Sequence, residues 1–171
     1  MAATDIQLLT QCADFTLGHT LDVEKKVIAE LQTSAATPLV NAMRMLRLQK
    51  AVLAIGMFSL FESLLQEAMG WKNPFSELEG YLKARQKAEL AKSIGDYVLA
   101  INALKHGEGR SYRALLEKRT DLEFAVRPED NSEYFDVGIL IDVNETFVRR
   151  CASLIQEAAA VIRKNEKVTI V

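Results

Sequence analysis

Asn102 and His106 stand four residues apart in the run Ile101-Asn102-Ala103-Leu104-Lys105-His106-Gly107-Glu108-Gly109-Arg110-Ser111. On a helix that spacing sets two side chains about 40° apart around the axis, close enough to meet. An imidazole beside a side-chain amide can act as an acid–base unit. Histidine moves a proton near neutral pH, and asparagine orients it or binds a phosphoryl oxygen. Gly95, two turns before Asn102, leaves space along that face, and the Gly107-x-Gly109 turn keeps the surroundings of His106 open. A plainer reading stands beside this one. A histidine in a last helical turn favours the negative end of the helix dipole, Gly107 is a common C-terminal cap, and Asn102 can simply bond to a carbonyl.

The chain that must position these residues has 171 of them, with 21 Lys and Arg against 23 Asp and Glu, a net charge of −2. With 49% apolar and 26% charged residues it is globular in composition, long enough for one sizeable core. The near-neutral charge excludes a strongly basic nucleic-acid binder and leaves room for a local basic patch. Two cysteines far apart, Cys12 and Cys151, form neither a disulfide framework nor a zinc pattern, and both read as small buried apolar residues. With only His19 and His106 as histidines, a multi-histidine metal site is not expected, nor is any cofactor. The N-terminus lacks the features of a secretion signal, and the most apolar stretch, Ala51 to Phe61, is too short to span a bilayer. A cytoplasmic protein without membrane attachment is the expectation.

Prolines, glycines and capping residues divide the chain. Thr37-Pro38 and Asn73-Pro74 each set a capping side chain before a proline at a first helical position. Thr4-x-x-Gln7 and Asp142-x-x-Glu145 have the capping-box form. These starts predict helices over about 4–17, 20–33, 38–69, 74–92, 94–106, 111–118 and 143–164. The third, bent at Gly56 or running through it, could span roughly 50 Å at about 1.5 Å per residue. Its second half is apolar on nearly every side, as suits the centre of a bundle. Glu62 sits inside that half and is expected to pair with a base or to reach solvent. Alternation at Leu122, Phe124 and Val126, the turn Pro128-Glu-Asp-Asn-Ser and the run Val137 to Ile141 predict a short β-hairpin. The expected fold is mainly α, a helical bundle with a long central helix and one short β-hairpin, in a single domain over 1–171.

Long central helices and an Asn-x-x-x-His-Gly signature near a helix end resemble the HEPN superfamily, the higher eukaryotes and prokaryotes nucleotide-binding domains. The resemblance covers about 38–163 and leaves 1–36 as an N-terminal helical extension. It implies a helical, commonly dimeric domain. Its active members are metal-independent ribonucleases of toxin–antitoxin, phage-defence or RNA-processing systems, and others are non-catalytic. Active members carry Arg-x(4–6)-His, often as Arg-Asn-x-x-x-His. Carried onto this chain, Asn falls on Asn102 and His on His106, but the Arg position is Ile101, and the other spacings give Ala100 and Leu99. In such a ribonuclease the Arg would hold the scissile phosphate while the His shuttles protons. Losing one preorganised donor of that kind costs on the order of 3 kcal/mol of transition-state stabilisation.

Three readings follow. The first is a degenerate, non-catalytic HEPN-like homodimer that binds RNA, a nucleotide or a protein partner such as an antitoxin. The second is an active metal-independent endoribonuclease using His106 with Arg110 or Arg113 in the phosphate role. The third is a structural helical adaptor. The candidate catalytic pair is Asn102 and His106. Candidate phosphate contacts are Lys105, Arg110 and Arg113 beside it, with Arg44 and Arg47, which continue to Lys50 at three-residue intervals on the long helix.

Overall fold

The computed structural model describes residues 3–34, 36–127 and 140–166. Among them the chain forms six helices: α1 (Ala3–Leu31), α2 (Thr37–Met69), α3 (Pro74–Lys83), α4 (Ala88–His106), α5 (Arg110–Glu117) and α6 (Glu145–Glu166), with a 3-10 turn at Arg119–Asp121. The mainly α architecture is as expected. The long helix α2 is central, touching α1, α3, α4 and α6, and α6 closes the core against α1, α2 and α4.

Helix α1 is one 29-residue helix, not two. It runs through Gly18, whose penalty in a helix interior is only about 1 kcal/mol. Against that, Ile6, Ala13, Leu17 and Val27 bury one continuous face, with Thr10 and Thr20 on the same row. Both buried hydroxyls donate back to carbonyls one turn earlier, Thr10 to Ile6 and Thr20 to Thr16. Cys12 is exposed, contrary to expectation, because it falls outside that row. Cys151 is buried as expected, and burial pushes its thiol pKa up.

Helix α2 passes straight through Gly56 and stops where Gly70 takes the left-handed conformation, its N–H bonding to Gln66 O at 2.9 Å. Its N-cap is Ala36, so Thr37 already lies inside the helix and does not cap it. Asn73 is the N-cap of α3, but its side chain does not cap; instead Glu77 reaches back to accept the Lys72 and Asn73 N–H groups at 2.9 and 3.0 Å. Helix α3 ends at Lys83, nine residues earlier than its helical composition suggests. The Arg85, Gln86 and Lys87 N–H groups fold back onto Leu82 and Lys83 carbonyls, and Gln86 holds φ at 60°, the sole non-glycine positive value among the described residues. This turn folds α4 back against α3, and the apolar contact outweighs the local preference for helix.

Beyond α5 the expected hairpin reduces to a single antiparallel bridge between Val126 and Ile141. Two backbone bonds flank it, Arg127 N–H to Leu140 O at 2.9 Å and Asp142 N–H to Ala125 O at 3.0 Å. No strand forms among the described residues, and the Pro128–Ser132 turn and the start of the returning run lie outside them. The alternation at 122–126 serves docking, not a sheet. Phe124 meets Tyr97 edge-on at 5.0 Å and Phe147 at 5.3 Å, while Tyr97 stacks on Phe147 at 4.8 Å. Burial in this cluster raises the pKa of the Tyr97 phenol.

Helix α6 starts at Glu145, two residues later than expected, and its cap is Asn144 rather than Asp142. The Phe147 N–H donates to Asn144 Oδ1 at 3.0 Å, and Asn144 Nδ2 donates to Asp142 Oδ2 at 3.2 Å. Asp142 thus holds the cap in place. Asn144→Ala is expected to lower the unfolding free energy by about 1 kcal/mol, read as a lower urea midpoint at unchanged slope. An unchanged midpoint would refute this assignment of the cap.

Candidate functional site

Helix α4 presents two faces to two environments. Ala91, Ile94, Tyr97, Ala100, Ile101 and Ala103 face the core, and Ile101 is only 4% exposed. Asn102 is half-buried at the edge of that face, while Lys105 and His106 stand exposed in the last turn. Gly107 ends the helix at φ 75°, a backbone conformation side chains disfavour, with its N–H on Ala103 O at 2.8 Å. Two residues later Gly109 becomes the N-cap of α5 with no side chain capping it. The first α5 N–H groups thus have no side-chain cap, and Arg110 and Arg113 stand exposed on the same short helix. Glu108 is exposed in the same turn and is the one carboxylate among these groups.

Helix α5 is anchored from below. Tyr112 is buried and its hydroxyl donates to Arg127 O at 2.5 Å, tying α5 to the bridge at Val126. After α5, Lys118 pairs with the buried carboxylate of Asp96 on α4. The turn between α4 and α5 is thus held on both sides while its tip faces water.

Of the residues singled out from the sequence, the structure gathers Asn102, Lys105, His106, Arg110 and Arg113 around this turn. Among the described residues neither the Asn102 nor the His106 side chain makes a hydrogen bond or ion pair, so the imidazole and the amide are not coupled as an acid–base unit. The basic row on α2 divides. Arg44 and Arg47 are exposed on a different helix, whereas Lys50 is buried and grips Glu24 of α1 through both carboxylate oxygens, at 2.8 and 2.9 Å. Glu62 is half-buried and makes no ion pair among the described residues, with His106 or any other base.

A groove that sequence reasoning missed lies between the α3–α4 turn and α6. It encloses about 1120 Å³, lined by Arg85, Lys87, Ser93, Glu123, Arg150 and Glu157 among others. Arg150 bridges Glu123 and Glu157 at 2.8 Å each, and Ser93 donates to Glu123 at 3.0 Å. The Arg150 guanidinium holds the Glu123 carboxyl below its ordinary range, and Glu123 in turn raises Arg150. Its residues come from three distant stretches of chain, so no local spacing marks it. His106 is not part of its lining.

Chemically, the α4–α5 turn offers one imidazole, three flexible or forked cations and uncapped helix N–H groups. That set binds phosphate oxygens well. It lacks the oriented partner that would tune His106 as a proton shuttle. No cluster of three or more metal-ligating side chains occurs among the described residues. Comparison with protein-family models, curated proteins and solved structures found no match.

Proposed function

We propose that this chain is a degenerate, non-catalytic HEPN-like domain that binds RNA through the α4–α5 turn. The observation that carries the reading is a contrast on one helix. The position that corresponds to the motif Arg holds Ile101, which is buried in the core, while His106, Lys105, Arg110 and Arg113 face solvent around an uncapped helix start. Phosphate contacts of this sort supply affinity without supplying a transition-state clamp. Cleavage needs the clamp, and Lys105, Arg110 or Arg113 would have to be recruited to it. An antitoxin-like protein could occupy the same turn, and the salt dependence below separates the two.

The test is fluorescence anisotropy with a labelled single-stranded RNA across a salt series. Three phosphate contacts predict a log–log salt slope of about −2 for a single strand. Replacing Lys105, Arg110 or Arg113 by Ala is expected to flatten that slope by about 0.7 each and to weaken binding for all sequences alike. Incubation with RNA in EDTA is expected to give no cleavage by the wild type or by His106→Ala. No binding at low salt would overturn the proposal. Cleavage that disappears in His106→Ala would replace it with an active nuclease.

A further inference from the structure

The groove between the α3–α4 turn and α6 has its charges unevenly matched. Along α6, Arg150, Glu157 and Lys164 follow at seven-residue intervals, which puts them on one stripe of the helix. Arg150 holds Glu123 and Glu157 at 2.8 Å each, and Ser153 donates to the same Glu157 oxygen at 2.7 Å. Both carboxylates are thereby taken up around Arg150. Two helical turns further, about 10 Å, Lys164 has no ion pair among the described residues, and neither has Lys87 on the facing wall.

Arg85 stands on the same turn as Lys87. It donates to Tyr81 O at 3.2 Å and lies over the Tyr81 ring at 3.4 Å, so its guanidinium is fixed without a carboxylate. Of the acids that line the groove, Glu89 alone is left outside an ion pair among the described residues. The groove thus carries two positive charges more than its own side chains neutralise. Cations from distant stretches of chain that face one concavity repel one another unless an anion sits among them. The turn that supplies two of them is also strained: Gln86, between Arg85 and Lys87, holds φ at 60°, which a side chain disfavours. Helix α4 begins beside it with no side-chain cap, and the positive end of its dipole adds to the same wall. Leu90, Ala160 and Val161 supply apolar surface next to these groups.

We propose that this groove binds a small phosphate monoester with an apolar body. The phosphate lies among Arg85, Lys87 and Lys164, and the body lies against Leu90, Ala160 and Val161. A monoester carries about −1.5 to −2 charges at pH 7, which matches the excess, whereas a carboxylate or a phosphodiester brings one. At about 1120 Å³ the groove has room for such a molecule. The Arg150 pairs keep Glu123 and Glu157 turned to a cation and away from the phosphate. The site is at the opposite end of α4 from His106, about 27 Å along the helix, so it does not rest on RNA binding.

The test is isothermal titration calorimetry of the full chain with phenyl phosphate at low ionic strength, with circular dichroism to monitor folding. One equivalent is expected to bind with a Kd below about 1 mM. Inorganic phosphate lacks the body and benzenesulfonate carries a single charge, and each is expected to bind about tenfold more weakly. Lys87→Ala and Lys164→Ala, at exposed positions, are expected to keep the wild-type helix spectrum and to weaken phenyl phosphate about tenfold each. Replacing Lys105 and Arg110 together by Ala is expected to leave this binding unchanged. Absence of saturable binding in that range would overturn the proposal, as would binding indifferent to Lys87→Ala and Lys164→Ala. An affinity no better than that of inorganic phosphate or benzenesulfonate would also overturn it. Loss of binding with Lys105 and Arg110 replaced would place the phosphate at the α4–α5 turn instead.

Discussion

Ile101→Arg, which places an arginine where the HEPN ribonuclease motif has one, is expected to unfold the protein and to produce no cleavage of RNA. Ile101 is 4% exposed on the face of α4 that meets the core alongside Tyr97 and Ala100. A guanidinium there would lose its water with no carboxylate arranged to receive it, a penalty of several kcal/mol. Forcing the longer side chain into a filled site adds roughly 1–3 kcal/mol. Together these approach the whole stability of an ordinary domain, about 5–15 kcal/mol. Urea unfolding followed by circular dichroism should show loss of the cooperative transition at 25 °C. Leu99→Arg, at another spacing the motif allows, is the control: Leu99 is half-buried, and an arginine stem can lie along the surface while its head reaches water. It is expected to fold. A folded Ile101→Arg with the wild-type midpoint would show that the motif position is not a core position, and would reopen the catalytic reading.

Glu24→Ala is expected to be the most damaging single truncation of a polar side chain. The Lys50 side chain is 6% exposed and its ammonium is held by both oxygens of Glu24, itself 17% exposed. Removing the carboxylate strands a buried charge, at a cost of about 3–5 kcal/mol. Because Glu24 retains some contact with water, the lower end of that range is expected. Replacing both, Glu24→Leu with Lys50→Met, removes the charges together and should recover most of the loss. A double-mutant cycle from urea midpoints measures the coupling. A Glu24→Ala loss below about 1 kcal/mol would mean that Lys50 finds water or another acceptor, and would sink the claim that the pair fixes how α1 docks on α2.

Lys50 also shows why part of the architecture was legible in the residues and part was not. Read along α2, it continues a basic row with Arg44 and Arg47. Its real environment is set by Glu24, 26 residues away, and no local spacing reports that. Proline and glycine boundaries held up, whereas the caps expected at Thr37, Asn73 and Asp142 did not form. Pro38 and Pro74 open helices, Gly70 and Gly107 close them, and Phe147, Leu154, Ile155, Ala158 and Ile162 face the core of α6 as their periodicity requires. Where a weak local preference competed with packing, packing prevailed. Gly18 does not stop α1, and the helix-forming run Ala84 to Lys87 breaks so that α4 can fold onto α3. The turn around Asn102 and His106 was legible as a location, since Gly107 and Gly109 mark it. The inward aim of Ile101 was legible too, from the stripe it shares with Ile94, Tyr97 and Leu104. The absence of a side-chain bond between Asn102 and His106 was not, because a four-residue spacing permits a side-chain contact without compelling it.

The late position of α6 in the chain has a consequence for biosynthesis. Helices α1 and α2 leave the ribosome first and can zip together through contacts close in sequence. Their shared inner surface nevertheless stays unfinished until residues 145–166 arrive, since α6 lies against both of them. At about 5–20 residues per second, the 75 or so residues in between take roughly 4–15 s to translate. For that interval the nascent hairpin offers apolar surface on both sides at once. It is the stage at which a holdase would have most to grip, and at which slowed translation of the α3–α5 stretch would most increase aggregation.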